Sequence, residues 1–465
     1  MDQALAAVEK FLKKHGMYPG DIDLEQICAN FENEMQKGLA SYKGGGSLLM
    51  IPTFIKAGAK IPCEEPVIVM DAGGTNFRTA VVHFTKDLEC VTSDFSNHPM
   101  PGANGAVSKE EFFETIYGYL DPILDRSDKI GFCFSYAVTI MPNRDGRLIE
   151  FSKEVKVDGL VGEAVNENLL KVIHAHRKSA RHSIVQLNDT AATLLGGRAA
   201  HPHRVFDGYI GLILGTGTNT CYIEDCENIK KLGEVELTAE QAAEYGPGNS
   251  MLINIESGSF DKAPFGDIDA ALDRKMKDPG HYRFEKAMAG GYQGILTMEI
   301  LRQAAEEGLF SDAANARFAA LSGLESRDLD QFLYYPYGGN ALAACAGSAG
   351  AAGAAGSSGS AGAAGAAGDD ARKLYYILDA LFERAAMFTA ANVTSILRKT
   401  SRGKNPNMPA CVTADGSTFY KSKLLRAKLD HHIREFTNKR NGIYCDFVKA
   451  DNGVLTGAAI AALQN

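Results

Sequence analysis

A chain that binds nucleic acid needs a surplus of positive charge, and this one has none: 48 lysines and arginines stand against 57 aspartates and glutamates, for a formal net charge of -9. A phosphate backbone selects the opposite balance, so nucleic acid is disfavoured as the main partner. No Cys-x-x-Cys pair occurs among the nine cysteines, and no histidine neighbours them at zinc-site spacing. They read as reduced thiols, the state kept in a cytosol. No apolar run approaches the roughly 20 residues of a membrane-spanning helix. The N-terminal MDQALAAVEKFLKKHG alternates charged and apolar residues at helical spacing, unlike a signal peptide. The expectation is a soluble, cytoplasmic protein without a membrane partner.

What is present is ordinary globular composition on a long chain. The 465 residues, with hydrophobic residues at 45% and charged ones at 23%, can bury a large core and exceed the usual size of one domain. Over residues 1–42, Leu24, Ile27, Phe31, Met35 and Leu39 recur every three or four positions and predict a helix with one apolar stripe. Further on, 109–124 reads as a helix, 129–138 as a buried strand, 159–176 as a helix, and SIVQLNDTAATLLGG at 183–197 as a strand feeding a small-residue helix. Strands alternating with helices indicate the α/β class. Polar residues where a strand feeds a helix mark the place where open α/β sheets hold ligands.

One stretch, VIVMDAGGTNFRTAVV at 67–82, puts an acid, two glycines, a threonine and an asparagine between two apolar runs. No lysine follows the glycines, so it is not a P-loop. The run after Arg78 is β-branched and reads as a strand, so it does not open a helix as a dinucleotide fingerprint does. Strand, loop, strand remains, and the glycines either let backbone N–H groups approach an anion or merely supply positive φ to a hairpin. The pattern recurs: YIGLILGTGTNTCYI at 209–223 again gives strand, Gly-Thr-Asn loop, strand. Two such hairpins suggest a duplicated half, each presenting a phosphate loop to a shared cleft. MPACVTADGSTFY at 408–420 adds a strand ending in Asp-Gly-Ser, after helical periodicity over 373–397. Residues 346–368, nearly all Ala, Gly and Ser, read as a flexible insertion.

In order and spacing these pieces resemble the hexokinase family of the actin-like ATPase superfamily. DAGGTNFR (71–78) is similar to the family's first phosphate motif, LNDT (187–190) to its catalytic strand end, GTGTN (215–219) to its second phosphate motif, and ADGS (414–417) to its adenosine motif. EMQKGL, MIPTFI, FSKEVKVDG, INIESGSF, FEKAMAGGYQG and GVLTGAAIAAL extend the match over nearly the whole chain. The resemblance implies a two-lobed actin-like ATPase fold with duplicated ribonuclease H-like cores around a central cleft. It places a small lobe at 63–191, with 449–465 returning to it, and a large lobe at 1–62 and 192–448.

It also implies an ATP-dependent hexokinase that makes hexose 6-phosphate from a hexose, glucose foremost, and MgATP. Asp189 would be the catalytic base, although from the residues alone it could equally cap the following helix. Lys153 would stabilise negative charge on the reacting oxygen, against an ordinary role as a solvated loop lysine. Sugar ligands would be Ser135, Ser152, Lys153, Asn188, Asp189, Asn219, Glu256 and Glu285. Asp71, acting on Mg²⁺ through water, would face the phosphates with Gly73, Gly74, Thr75 and Asn76, and Arg78 would add positive charge or form a surface ion pair. Gly215, Thr216 and Gly217 would bind from the other lobe, and Asp415, Gly416 and Ser417 would meet the adenosine. Two departures bear on sugar selectivity and nucleotide affinity. Ser257 stands where many relatives carry a tryptophan, in a chain with none, and Gly291 where some animal relatives carry a lysine. The competing readings are a kinase of the same fold for another sugar and a catalytically silent sugar sensor; retention of the base and both phosphate loops weighs against the sensor.

Overall fold

Fifteen strands form among the described residues, and most of their apolar side chains are buried on both faces, as α/β sheets require. The computed structural model describes residues 2–56, 60–151, 155–350 and 361–465, with the backbone alone over 361–367. In chain order the strands are Ile51–Lys56 (β1), Val67–Ala72 (β2), Asn76–Phe84 (β3), Cys90–Pro99 (β4), Val107–Ser108 (β5), Lys129–Phe134 (β6), Ala137–Ile140 (β7) and Gly146–Glu150 (β8). There follow Val157–Asp158 (β9), Ser183–Leu187 (β10), Tyr209–Leu214 (β11), Thr218–Asp225 (β12), Ser250–Asn254 (β13), Ala410–Asp415 (β14) and Cys445–Val448 (β15).

Two large sheets result, ordered β10-β6-β2-β3-β4 and β1-β13-β12-β11-β14-β15. The duplication expected from the paired hairpins is visible in this order. In each sheet a three-strand antiparallel meander (β2-β3-β4 and β11-β12-β13) is followed by two strands parallel to its first member (β6 and β10, β14 and β15). Strand β1 extends the second sheet antiparallel to β13.

Two helices, Asp189–Ala200 and Gly453–Gln464, lie in a core shared by both sheets, which draws Val67, Val69 and Val185 from one and Cys221 and Leu252 from the other. Close seating requires small residues: a Cβ on Gly211 of β11 would lie 2.3 Å from the carbonyl oxygen of Thr190. The larger core joins the second sheet to the helices Gln3–Lys14 and Leu24–Ala40, and the predicted stripe packs into it through Ile27, Phe31, Met35 and Leu39. No helix among the described residues is long and apolar enough to cross a membrane.

Local expectations needed correction at three places. The predicted strand 129–138 is broken after Phe134, because the chain turns at Ser135 and Tyr136 before β7. The helix predicted over 159–176 begins only at Val165, with Gly159 and Gly162 held at φ 79° and 86° ahead of it. The Ala/Gly/Ser tract is ordered at both margins. Ser348 is buried and donates to the carbonyl oxygen of Pro336, while Ala361–Lys399 is one helix that takes in the end of the tract. Alanine propensity and the packed remainder of that helix outweigh the glycines there. Residues 351–360, which the flexible reading also covers, lie outside the described residues.

Candidate active site

Strands β2, β6 and β10 run parallel and end at one edge, where Asp71, Cys133 and Leu187 stand in register and Asp189 follows two residues beyond. The Cys133 thiol is pushed far up, first by burial and then by the charges of Asp71 and Asp189, so both carboxylates flank it. Asn188 is the residue that caps the following helix: its Oδ1 accepts from the Ala191 N–H at 2.9 Å. Asp189 is thereby relieved of the capping role and stands in the first turn, its Oδ1 accepting from the Thr190 hydroxyl at 3.1 Å. Arg78 lies opposite Asp71 in the β2–β3 register and donates to its Oδ2 at 3.4 Å, an ion pair within the site.

The first glycine turn is tight without positive φ at Gly73 or Gly74, which removes the plain hairpin explanation. The Gly73 N–H donates to the Asn76 carbonyl at 3.0 Å, and the Met100 N–H to that of Thr75 at 3.0 Å. Tyr136 donates its phenol to the carbonyl of Gly73, tying this turn to the loop where the Ser135 N–H donates to Ala72 at 3.3 Å. Burial, then the charge of Asp71, drives that phenol's pKa upward.

From the second sheet come amides and carboxylates. The Asn219 Nδ2 donates to Asn254 Oδ1 at 2.9 Å and to Glu256 Oε1 at 2.8 Å, and the Asn254 Nδ2 also donates to Glu256. Glu256 holds a left-handed backbone at φ 58°, an uncommon conformation for a non-glycine residue that aims its carboxylate into this cluster. Its pKa is raised by burial, opposed by the Asn254 and Asn219 amides and reinforced by the charge of Asp189, so carboxyls from the edges of the two sheets lie within electrostatic reach. Glu285 accepts from the Thr218 N–H at 2.8 Å and is likewise raised by burial, with Glu256 adding to the shift. Ser257 is fully buried, and its N–H donates to Asn219 Oδ1 at 3.2 Å.

The second glycine loop is a place where side chains would not fit. A Cβ on Gly217 would lie 2.6 Å from Glu285 Oε2, and one on Gly290 2.1 Å from Thr418 Oγ1. The N–H groups of Gly290 and Gly291 donate to the carbonyls of Gly215 and Thr216 at 2.8 and 2.9 Å. Thr418, one residue past Ser417, donates to the Gly215 carbonyl at 2.8 Å. Gly416 takes φ 115°, and its N–H donates to Asp415 Oδ1 at 2.7 Å. The Gly215–Gly217 loop, the start of the helix Gly290–Glu306 and the Asp415–Ser417 turn therefore form one cradle.

Ser152 and Lys153 lie outside the described residues. A cavity of about 220 Å³ opens beside the polar set and is lined by Asn188, Asn254 and Glu256. Gln186, Tyr136 and Tyr282 also line it and were not among the residues singled out from sequence. Tyr282 has φ 52°, and its phenol is raised by burial and then by Glu256 and Glu150. A period-2 reading of β10 back from Asn188 points to Gln186; nothing local marks Tyr282.

The description hexokinase belongs to both family models that match, one over residues 209–464 and the other over residues 7–199. Hexokinase-1 of Nicotiana tabacum is 27% identical over 100% of this chain and 91% of its own length, and Hexokinase-3 of Homo sapiens is 25% identical over 98% of this chain and 47% of its own. Among solved structures, the hexokinase of Schistosoma mansoni complexed with glucose aligns over 100% of both chains with a TM-score of 0.70 at 21% identity. A second hexokinase crystal structure aligns over 99% of both with a TM-score of 0.73 at 21% identity. The fold is thus the two-lobed actin-like ATPase fold. With family models spanning both sheets and relatives matched from end to end, the chain belongs to the hexokinase family and is a sugar kinase, a phosphotransferase acting on a hexose.

Proposed function

We propose that this kinase transfers the γ-phosphoryl group of MgATP to the 6-hydroxyl of a hexose, glucose foremost. The observation that carries the reading is the meeting of Asp189, at a strand end of one sheet, with the Asn219–Glu256 cluster of the other, beside a glycine cradle. Asp189 takes the proton of the attacking hydroxyl, and Lys153 steadies the charge that develops on that oxygen. Ser135, Ser152, Asn188, Asn219, Glu256 and Glu285 supply directional partners for the remaining hydroxyls, since each one left unmatched in a closed cleft costs free energy. Small and large lobes, 63–191 with 449–465 and 1–62 with 192–448, close over the sugar and exclude water from the phosphoryl group.

The phosphates rest on the Gly73–Asn76 turn and on the Gly215–Gly217 loop, with the adenosine beside Asp415, Gly416 and Ser417. Among the described residues no three His, Cys, Asp or Glu side chains gather to hold a metal ion, and Asp71, already paired with Arg78, is a single carboxylate. That donor set suits magnesium delivered with the nucleotide and met through water. Glucose bound in the Schistosoma mansoni structure supports the choice of sugar.

The test is a panel of hexoses with MgATP and the purified chain, following hexose-dependent ADP release and locating the phosphate by NMR. Glucose is expected to show the highest kcat/KM and phosphate on the 6-oxygen. A different preferred sugar corrects the substrate; phosphate on another oxygen, or no hexose-dependent ADP, overturns the reading.

A further inference from the structure

A two-residue hairpin turn usually closes on itself, the carbonyl of its first residue accepting from the N–H three residues on. The turn between β2 and β3 does not. Its Gly73 N–H donates to the Asn76 carbonyl at 3.0 Å, but the reciprocal bond from the Asn76 N–H to the Gly73 carbonyl is not formed, and the turn is an open bend. The Gly73 carbonyl accepts instead from the Tyr136 phenol, which reaches it from the turn between β6 and β7. A second outside anchor holds the tip, where the Thr75 carbonyl accepts from the Met100 N–H at 3.0 Å.

The consequence lies in one peptide plane. No peptide bond among the described residues is cis, so the Gly73 carbonyl and the Gly74 N–H belong to one planar unit and point to opposite sides of it. By holding the carbonyl, the phenol aims the Gly74 N–H away from itself. Among the described residues no acceptor meets the N–H of Gly74 or of Thr75. Successive N–H groups left open in this way are what an anion nest is made of.

Tyr136 is itself well fixed. It is 6% exposed, and its ring packs against Phe134 and Phe151 with centroids at 4.9 and 5.0 Å. Burial, then the charge of Asp71, pushes its pKa upward, so the phenol keeps its proton and remains a donor. The same residue lines the cavity that Asn188 and Glu256 line.

We propose that Tyr136 is a positioning residue for phosphoryl transfer: its hydroxyl takes the place of the missing hairpin bond and sets the Gly73–Gly74 peptide so that the Gly74 N–H meets the phosphates of the nucleotide. A bond from Asn76 would hold the same carbonyl but would draw the Asn76 N–H into the turn; the phenol holds it without doing so.

The proposal rests on the phosphate reading of this turn, so its test reads nucleotide and sugar separately. Calorimetry on the full chain measures Kd for the magnesium complex of the β,γ-imido analogue of ATP and for glucose, in the parent and in Tyr136→Phe. That substitution keeps the ring and removes only the hydroxyl. The Kd of the analogue is expected to rise about two- to tenfold, the range for loss of one hydrogen bond, while that of glucose changes by less than about twofold. Placing 4-aminophenylalanine at position 136, which restores an N–H donor on the same ring, is expected to recover most of the loss. Equal rises for both ligands, no rise for the analogue, or no recovery with the amino ring overturns the role of Tyr136 and leaves the kinase reading standing wherever the parent releases ADP with hexose. A parent that binds the analogue but releases no hexose-dependent ADP overturns the kinase reading, and the same Kd comparison still decides the role of Tyr136. A parent that does not bind the analogue overturns both.

Discussion

At the edge of the second sheet Asn219, Asn254 and Glu256 interlock through their side chains, whereas in the neighbouring cradle Gly215, Gly290 and Gly416 meet through backbone alone. On the function proposed above, the contrast follows from what each group faces. A sugar is neutral and presents hydroxyls in fixed directions, so its partners are side-chain amides and carboxylates of matching geometry. A phosphate is an anion that backbone N–H groups can cradle, provided no Cβ stands in the way. The proposed hexose group is therefore broken by removing atoms and the proposed nucleotide group by adding them.

The largest effect expected from removal is at Asp189. Asp189→Ala should lower kcat by about 10²- to 10⁴-fold, the usual cost of losing a general base, while calorimetric hexose affinity changes far less. A variant that keeps most of its kcat would overturn the base assignment and leave the comparison without its chemical centre.

Addition gives a smaller effect of a different kind. Gly290→Ala places a Cβ 2.1 Å from Thr418 Oγ1 and 2.8 Å from the Gly215 carbonyl. Overpacking of this sort costs about 1–3 kcal/mol, read as a lower denaturation midpoint. The KM for ATP should rise more than that for hexose. A larger rise for hexose would show that the two sides are not built separately.

The smallest and most graded effect is in pH. Burial lifts Glu256 and Glu285 above the ordinary glutamate value of 4.5, so in the free protein each keeps its proton to higher pH than an exposed glutamate. Sugar hydroxyls donating to these groups favour the ionised form. Hexose binding should therefore expel protons, and Kd should fall as pH rises from 4.5 through the raised values, by up to about tenfold per unit for each proton released. Stability runs the other way: a raised carboxyl stabilises the fold below 4.5, and that contribution is lost as pH rises through the folded-state value. Calorimetry in buffers of different ionisation enthalpy counts the protons. Uptake instead of release would reverse the sign assigned to the pair.

Much of this was legible in the chain. The hairpin pattern of 67–82 and 209–223 announced the two sheets, and the stripe from Ile27 to Leu39 announced its helix, because alternation and 3.6-residue spacing are local properties. The motif at Asn188 and Asp189 was equally visible, but which of them caps the helix was not. Both are good caps, and the choice depends on where the first turn starts. Gly73 and Gly74 invited a positive-φ explanation that their backbone does not use. The β10 run SIVQL reads as apolar, so Gln186 passed unnoticed until the cavity it lines was found. Tyr136 seemed part of a continuous strand, and only its bond to Gly73 shows the turn it holds.

By itself the sequence determined the α/β class and the repeated hairpins with their glycine loops, since each is written in short-range pattern and composition. Tertiary structure alone decided that the helices Asp189–Ala200 and Gly453–Gln464 are held between two sheets, that the charge of Asp189 adds to Glu256's cost of ionisation, and that Gly217 must lack a side chain to admit Glu285. Each of these unites residues tens to hundreds of positions apart. Their contact is fixed by packing and burial of the whole chain, which no window of neighbouring residues contains.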